Sequence, residues 1–167
     1  NPGEPRYLPL YEAKMIHHYD HRWGTYEGQT QAQANQGKLP ELDAEMHNNP
    51  ELFSIPRYWV AQEEVERVLQ GKWNHNWLLG WRDITGATVL RTTISTIIPC
   101  VAVGHKFPLI FFESAEAQSI SCHSANLASY VFDYIARQKV GGTSLTYFYL
   151  KQFPVIPPAC YNLGCLS

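Results

Sequence analysis

The densest run of chemistry-bearing side chains is His17-His18-Tyr19-Asp20-His21-Arg22. On a helix, His17 and His21 would share a face, as two metal ligands do. With Asp20 they would form the start of a metal-dependent hydrolase centre. No Glu follows His17, as a His-Glu-x-x-His site requires, and no second cluster offers an obvious third ligand. Two other readings stand beside this one. The run is a polar strand whose histidines bond to the backbone, or it is a surface where Arg22 and its neighbours face DNA.

A second constellation is Trp81-Arg82-Asp83-Ile84, followed by Thr88 and Arg91-Thr92-Thr93. Arg and Thr at strand ends and turns hydrogen-bond phosphates or base edges. The same residues also suit a surface Arg82–Asp83 region with threonines satisfying turns. A third is Arg137-Gln138-Lys139 ahead of Gly141-Gly142-Thr143-Ser144. Cations are favoured at a helix C-terminus by the helix dipole. They equally suit a basic helix end and a pliant loop against a DNA backbone. Gln138 and Gln152 carry carboxamides that match the N6 and N7 edge of adenine.

Other chemistries lack their residues. There is no Gly-x-Ser-x-Gly elbow, no phosphate-binding Gly-Lys-Ser/Thr loop and no Gly-x-Gly-x-x-Gly turn. The four cysteines, Cys100, Cys122, Cys160 and Cys165, include no Cys-x-x-Cys pair, so neither a structural zinc site nor a catalytic residue is assigned.

The elements that must position these residues follow from pattern. Tyr7 to Tyr11 reads as an opening strand, Ala13 to Ile16 as a helical turn, and His17 to Tyr26 as a strand. Residues 27–50 are rich in Gln and Asn with little apolar periodicity, and read as a polar insertion peripheral to the fold. Phe53 to Val60 contains Pro56 and fits an edge strand. Gln62 to Leu69 is an amphipathic helix with Val65, Val68 and Leu69 on one face, closed by Gly71. Trp77 to Ile84 and Thr92 to Val103 read as strands, the latter interrupted by Pro99. Pro108 to Phe112 is a short apolar run. Ala115 to Lys139 is the clearest helix, with a stripe of Ile120, Leu127, Val131 and Ile135. Leu145 to Leu150 is strand-like. The expected class is α+β: a small mixed sheet with two main helices, the long one near the C-terminal end.

A chain of 167 residues with 45% hydrophobic and 17% charged residues is globular and suits one domain. Its net charge of −2 argues against a self-sufficient DNA binder, whose affinity comes mostly from phosphate neutralisation. It leaves room for a module that reads bases while a neighbouring domain grips the backbone. Five Trp and ten Tyr suit cores and binding faces alike. No signal peptide or membrane-spanning apolar run is present, so a cytoplasmic protein with free thiols is expected. Asn1-Pro2-Gly3-Glu4-Pro5 reads as a linker and Pro157-Pro158-Ala159 as an exit, so a segment of a longer protein is expected.

Four blocks carry a resemblance. Tyr7-Leu8-Pro9-Leu10-Tyr11-Glu12-Ala13-Lys14-Met15-Ile16-His17-His18-Tyr19-Asp20-His21-Arg22 resembles the stretch that follows the catalytic domain in large bacterial N6-adenine DNA methyltransferases. These are the single-chain restriction-modification enzymes and their phage-defence relatives. Trp81-Arg82-Asp83-Ile84, Arg91-Thr92 and Ile98-Pro99 resemble the next block. Asn126-Leu127 to Phe132-Asp133-Tyr134 with Arg137-Gln138-Lys139-Val140-Gly141-Gly142 resemble the third, and Lys151-Gln152-Phe153-Pro154-Val155 the fourth. The blocks keep the family's order and span nearly the whole chain.

The resemblance implies a target-recognition domain for double-stranded DNA. Its partner would be a catalytic domain of the same polypeptide, which binds S-adenosylmethionine and flips the target adenine. The catalytic Asn-Pro-Pro-Tyr tetrapeptide is absent here. Asn49-Pro50-Glu51-Leu52 shares only its first two residues, and no cofactor glycine motif occurs. The expected DNA-facing surface comprises Lys14, Arg22, Arg82, Arg91, Arg137, Gln138, Lys139, Thr143 and Ser144. A scaffold docked on the catalytic domain is the alternative within the same family.

Overall fold

The computed structural model describes residues 5–113 and 116–162. The linker reading of residues 1–4, the proposed helix start at Ala115 and Cys165 lie outside the described residues. The chain is mixed α+β, built on two three-stranded sheets. In the first, β1 (Tyr7–Tyr11) lies between β2 (Trp59–Ala61), antiparallel, and β5 (Ala102–Val103), parallel. In the second, β3 (Trp77–Trp81) lies between β4 (Ser95–Pro99) and β6 (Leu109–Ile110), both antiparallel. β2 takes the edge position that Pro56 upstream suggested.

β3 explains the two cores. Successive strand residues point to opposite faces. Leu78 joins one apolar cluster with Met15, Ile16, Leu69, Ile98 and Phe107, while Leu79 and Trp81 join another with Leu127, Phe132, Ala136 and Leu145. A strand buried on both sides needs an unbroken apolar run, which Trp77-Leu78-Leu79-Gly80-Trp81 supplies. Gly80 is required there. A Cβ at this position would meet Phe107 Cε1 and the Pro108 carbonyl oxygen, each at 2.5 Å.

Helices cover both faces. α1 is Gln31–Asn35, α2 is Ala44–Asn48 and α3 is Gln62–Leu69. α3 buries Val65 and Leu69, whereas Val68 is half exposed. The single long helix expected over 115–139 is two helices, α4 (Ala117–Ala128) and α5 (Tyr130–Lys139). Between them Ser129 turns to extended backbone, and its hydroxyl accepts the Phe132 N–H at 3.1 Å, an N-cap that restarts the helix. The restart changes the apolar phase. α4 buries Ile120, Ser124 and Leu127; α5 buries Phe132, Asp133 and Ala136, and Val131 points outward at 71% exposure.

Three further expectations are corrected. Leu145 to Leu150 is not a strand. Only Ser144 forms a bridge, to Ile84, and α6 (Tyr147–Leu150) follows. The Thr146 carbonyl accepts the N–H groups of Tyr149 and Leu150, which coils the chain. His17 to Tyr26 is not a strand: His17 to Asp20 is a tight turn, closed by reciprocal backbone bonds of 2.8 and 3.0 Å with Tyr19 left-handed at φ 59, and further turns follow. Residues 27–50 fold into α1, α2 and connecting turns, and they bury Leu39 and Leu42. Their polar composition hid these two anchors. No helix among the described residues is long and apolar enough to cross a membrane.

Candidate functional site

Asp133 organises one side of the site. Its carboxylate is buried and accepts the Thr93 N–H at 2.8 Å and the Thr93 hydroxyl at 3.1 Å. Arg91 Nε and Arg137 Nη2 approach it at 3.4 Å each. Arg91 also donates to the Ala128 carbonyl at 2.7 Å and lies 4.7 Å from the Tyr130 ring centroid. Arg137 donates to the carbonyls of Val89 and Leu90, both at 2.9 Å. Arg22 makes a similar clamp, donating to the carbonyls of His47, Asn49 and Leu52 at 2.8, 3.0 and 3.1 Å. A guanidinium presents five donors in a fixed fork, which suits it to gather several carbonyls at once. Arg22, Arg91 and Arg137 therefore fasten loops to helices and turns.

Arg82 differs. Its Nη2 donates to the Ile16 carbonyl, its Nε, like that of Arg91, is buried without a hydrogen-bond partner, and no carboxylate pairs with it among the described residues. Burial lowers its pKa to about 10, with Glu41 opposing the shift. Arg82 lines two neighbouring hollows. One is a groove of about 670 Å³ that also presents Lys14, Arg57, Tyr58, His105 and Lys106. The other is a cavity of about 320 Å³ shared with His17, Trp23 and Arg91. In the groove Lys106 reaches Asp83 at 2.6 Å with its side chain 39% exposed, and Lys14 lies 3.7 Å from Glu12. Arg57 sits 5.4 Å from the Tyr58 ring centroid, and no ion pair holds it among the described residues.

Of the residues expected from sequence, the structure thus places Lys14 and Arg82 in the groove and Arg91 in the cavity. Gln138 and Lys139 are exposed in the last turn of α5, and Thr143 is exposed beyond it. The Thr143 carbonyl accepts the Thr85 N–H at 3.0 Å, which joins the Gly-Gly loop to the end of the Trp81-Arg82-Asp83-Ile84 block, where Ser144 bridges Ile84. Sequence reasoning missed Arg57, Tyr58, His105 and Lys106. The available signal was an Arg-Tyr pair just after Pro56 and a His-Lys pair in the turn after β5.

The histidines are spread, not gathered. The His17 ring packs 4.6 Å from Trp23. His18 places Nε2 at 2.8 Å from the Thr93 carbonyl and Nδ1 at 3.2 Å from that of Ser95, so it bonds to backbone as one sequence reading held. Asp20 accepts the Arg22 N–H at 2.7 Å and contacts His47 Nε2 at 3.0 Å. Burial is the largest cause of a lowered pKa at His17, His18 and His21, with neighbouring arginines adding to it. Among the described residues no group of three His, Cys, Asp or Glu side chains is placed to hold a metal ion.

No family model, no curated protein and no solved structure matches the chain.

Proposed function

We propose that this chain is a DNA target-recognition module of an N6-adenine methyltransferase of the restriction-modification type. Double-stranded DNA lies along the groove that carries Lys14, Arg57, Arg82, His105 and Lys106. The observation that carries this reading is that Lys14, Arg57, Arg82 and Lys106 line one groove, with Glu12 the one carboxylate among its lining, in a chain whose net charge is −2. Phosphate neutralisation requires local clustering of charge, which a bulk count does not reveal. Exposed Tyr58 beside Arg57 adds an aromatic face to the groove.

The four-block resemblance supplies the enzyme context. A catalytic domain of the same polypeptide would bind S-adenosylmethionine and extrude the adenine. Extrusion costs a few kcal/mol, and contacts made only on the correct sequence offset it. The residues described here include no methyl-transfer tetrapeptide or cofactor loop, and no chemical step is assigned to them. Leu90, Tyr130, Val131 and Tyr134, exposed by 90, 80, 71 and 65%, favour a second reading, in which this face docks on the catalytic domain.

Duplex binding measured by fluorescence anisotropy across a salt series tests the proposal. Alanine at Arg57 or Lys106 should weaken binding on every sequence and reduce the salt slope by about one unit each. Selection from a random duplex pool should enrich a defined site. An unchanged slope in both variants, or a pool left unenriched, would overturn it.

A further inference from the structure

The cavity of about 320 Å³ beside Arg82 has a chemistry of its own. Arg82 and Arg91 give it positive charge, while Trp23, Ile84 and Leu90 give it apolar wall. The Arg91 charge is met by Asp133 at 3.4 Å. Arg82 donates to the Ile16 carbonyl and feels the Glu41 carboxylate at longer range, but no ion pair within 4 Å holds it among the described residues, and its Nε has no hydrogen-bond partner. A partly buried guanidinium without a close ion-pair partner is unfavourable, and an anion brought to it offsets that penalty. The one carboxylate in the lining is Glu41, which is exposed. Trp23 is half-buried and gives the cavity an aromatic wall, with the His17 ring packed 4.6 Å from it. The volume falls at the small end of the range for small-molecule sites, roughly 300–1,000 Å³. It is too small for a duplex and sufficient for one compact molecule.

We infer that this cavity binds a phosphate monoester carried on a planar body, the mononucleotide class, with the phosphate against Arg82 and the planar body against Trp23. The site shares Arg82 with the groove but does not depend on duplex binding. Its occupant needs both halves of the wall. Inorganic phosphate meets only the cations, and a nucleoside meets only the apolar surface and the indole.

Isothermal titration of the full 167-residue chain with adenosine 5′-monophosphate, adenosine and inorganic phosphate tests the assignment. The monophosphate should bind with one-to-one stoichiometry, about tenfold or more tighter than either part, as expected for a charge-assisted contact added to a stacked one. Glu41→Gln should tighten the monophosphate severalfold and leave adenosine unchanged, and Trp23→Leu should weaken the monophosphate. Because Glu41 is exposed, its variant keeps the test meaningful even if Trp23→Leu folds poorly. The Arg57→Ala/Lys106→Ala double variant should leave the monophosphate unchanged while it weakens duplex binding. Absence of binding at millimolar monophosphate overturns the inference. So does equal affinity for inorganic phosphate, or indifference to Glu41→Gln. Loss of the monophosphate in the double variant moves the ligand to the groove and also overturns it.

Discussion

The carboxylate of Asp133 on α5 accepts the backbone N–H of Thr93 at 2.8 Å, across 40 positions of sequence. That bond ties the segment leading into β4 to the helix behind it. Arg91 and Arg137 complete the node from either side. Asp133→Ala would leave the Thr93 N–H and a mostly buried Arg91 without their acceptor. Removing one partner of such a buried pair costs about 3–5 kcal/mol. Urea unfolding should show a loss of that size. A loss below about 1 kcal/mol would place the node outside the stabilising core.

Gly80→Ala should destabilise strongly, because the new Cβ meets the Pro108 carbonyl and the Phe107 ring at 2.5 Å. Overpacking of this kind costs about 1–3 kcal/mol or more. Gly86→Ala is the control. Nothing lies within 4 Å of a Cβ there, and its effect should stay within about 0.5 kcal/mol. Equal thermal midpoints for the two variants would contradict the packing of β3 against the Phe107–Pro108 turn.

Stability should fall on mild acidification. His17, His18, His21 and His123 have folded-state pKa values below the ordinary 6.5, with burial the largest cause at each. The unfolded chain then binds more protons just below 6.5, so the stability from these neutral rings is fully present above that pH. It is lost as pH falls from 6.5 through the depressed values. Thermal midpoints recorded from pH 7.5 to 5.5 should decline, and a flat or rising trend would reject the sign. His18→Gln should reduce the pH dependence.

Residues 27–50 should prove integral to the fold. Leu39 is 8% exposed within the first core cluster, so Leu39→Ala should cost about 2–5 kcal/mol. Gln31→Ala, on the exposed α1, should change stability by less than about 0.5 kcal/mol. A deletion of 27–50 closed by a short linker should abolish cooperative unfolding. Retention of a sharp transition would show that the core closes without Leu39.

The strands were legible where the residues left no alternative. The strand expected over Trp77 to Ile84 is observed over Trp77–Trp81, where the run is apolar, and the one expected over Thr92 to Val103 is centred on Thr96, Ile97 and Ile98, whose β-branched side chains favour it. The Ser129 break was not, because Leu127, Val131 and Ile135 fit one uninterrupted helix and only tertiary packing selects Phe132 and Ala136 as the inward face. The same limit applies to the site. Sequence marked Arg22, Arg82, Arg91 and Arg137 as one class of cation. Whether a guanidinium meets a carbonyl or a hollow depends on which segments fold against it. Arg82 lies at a groove, Arg22 is spent on backbone, and Arg137 on backbone and Asp133. Arg57 and Lys106 escaped notice because they are single cations in short turns, brought beside Lys14 only by the fold.

Apart from the Asp133 carboxylate beside Arg137, the acceptors that Arg22 and Arg137 hold are main-chain carbonyls, at residues 47, 49 and 52 and at 89 and 90. A carbonyl is the same whatever side chain its residue bears. These fastenings are therefore blind to the letters written in the loops they secure. Leu90, with 90% of its surface in solvent, can be exchanged for another residue while its backbone stays pinned. The frame and the text it displays are thus free to change at different rates, and a new surface specificity can arise here without a new fold.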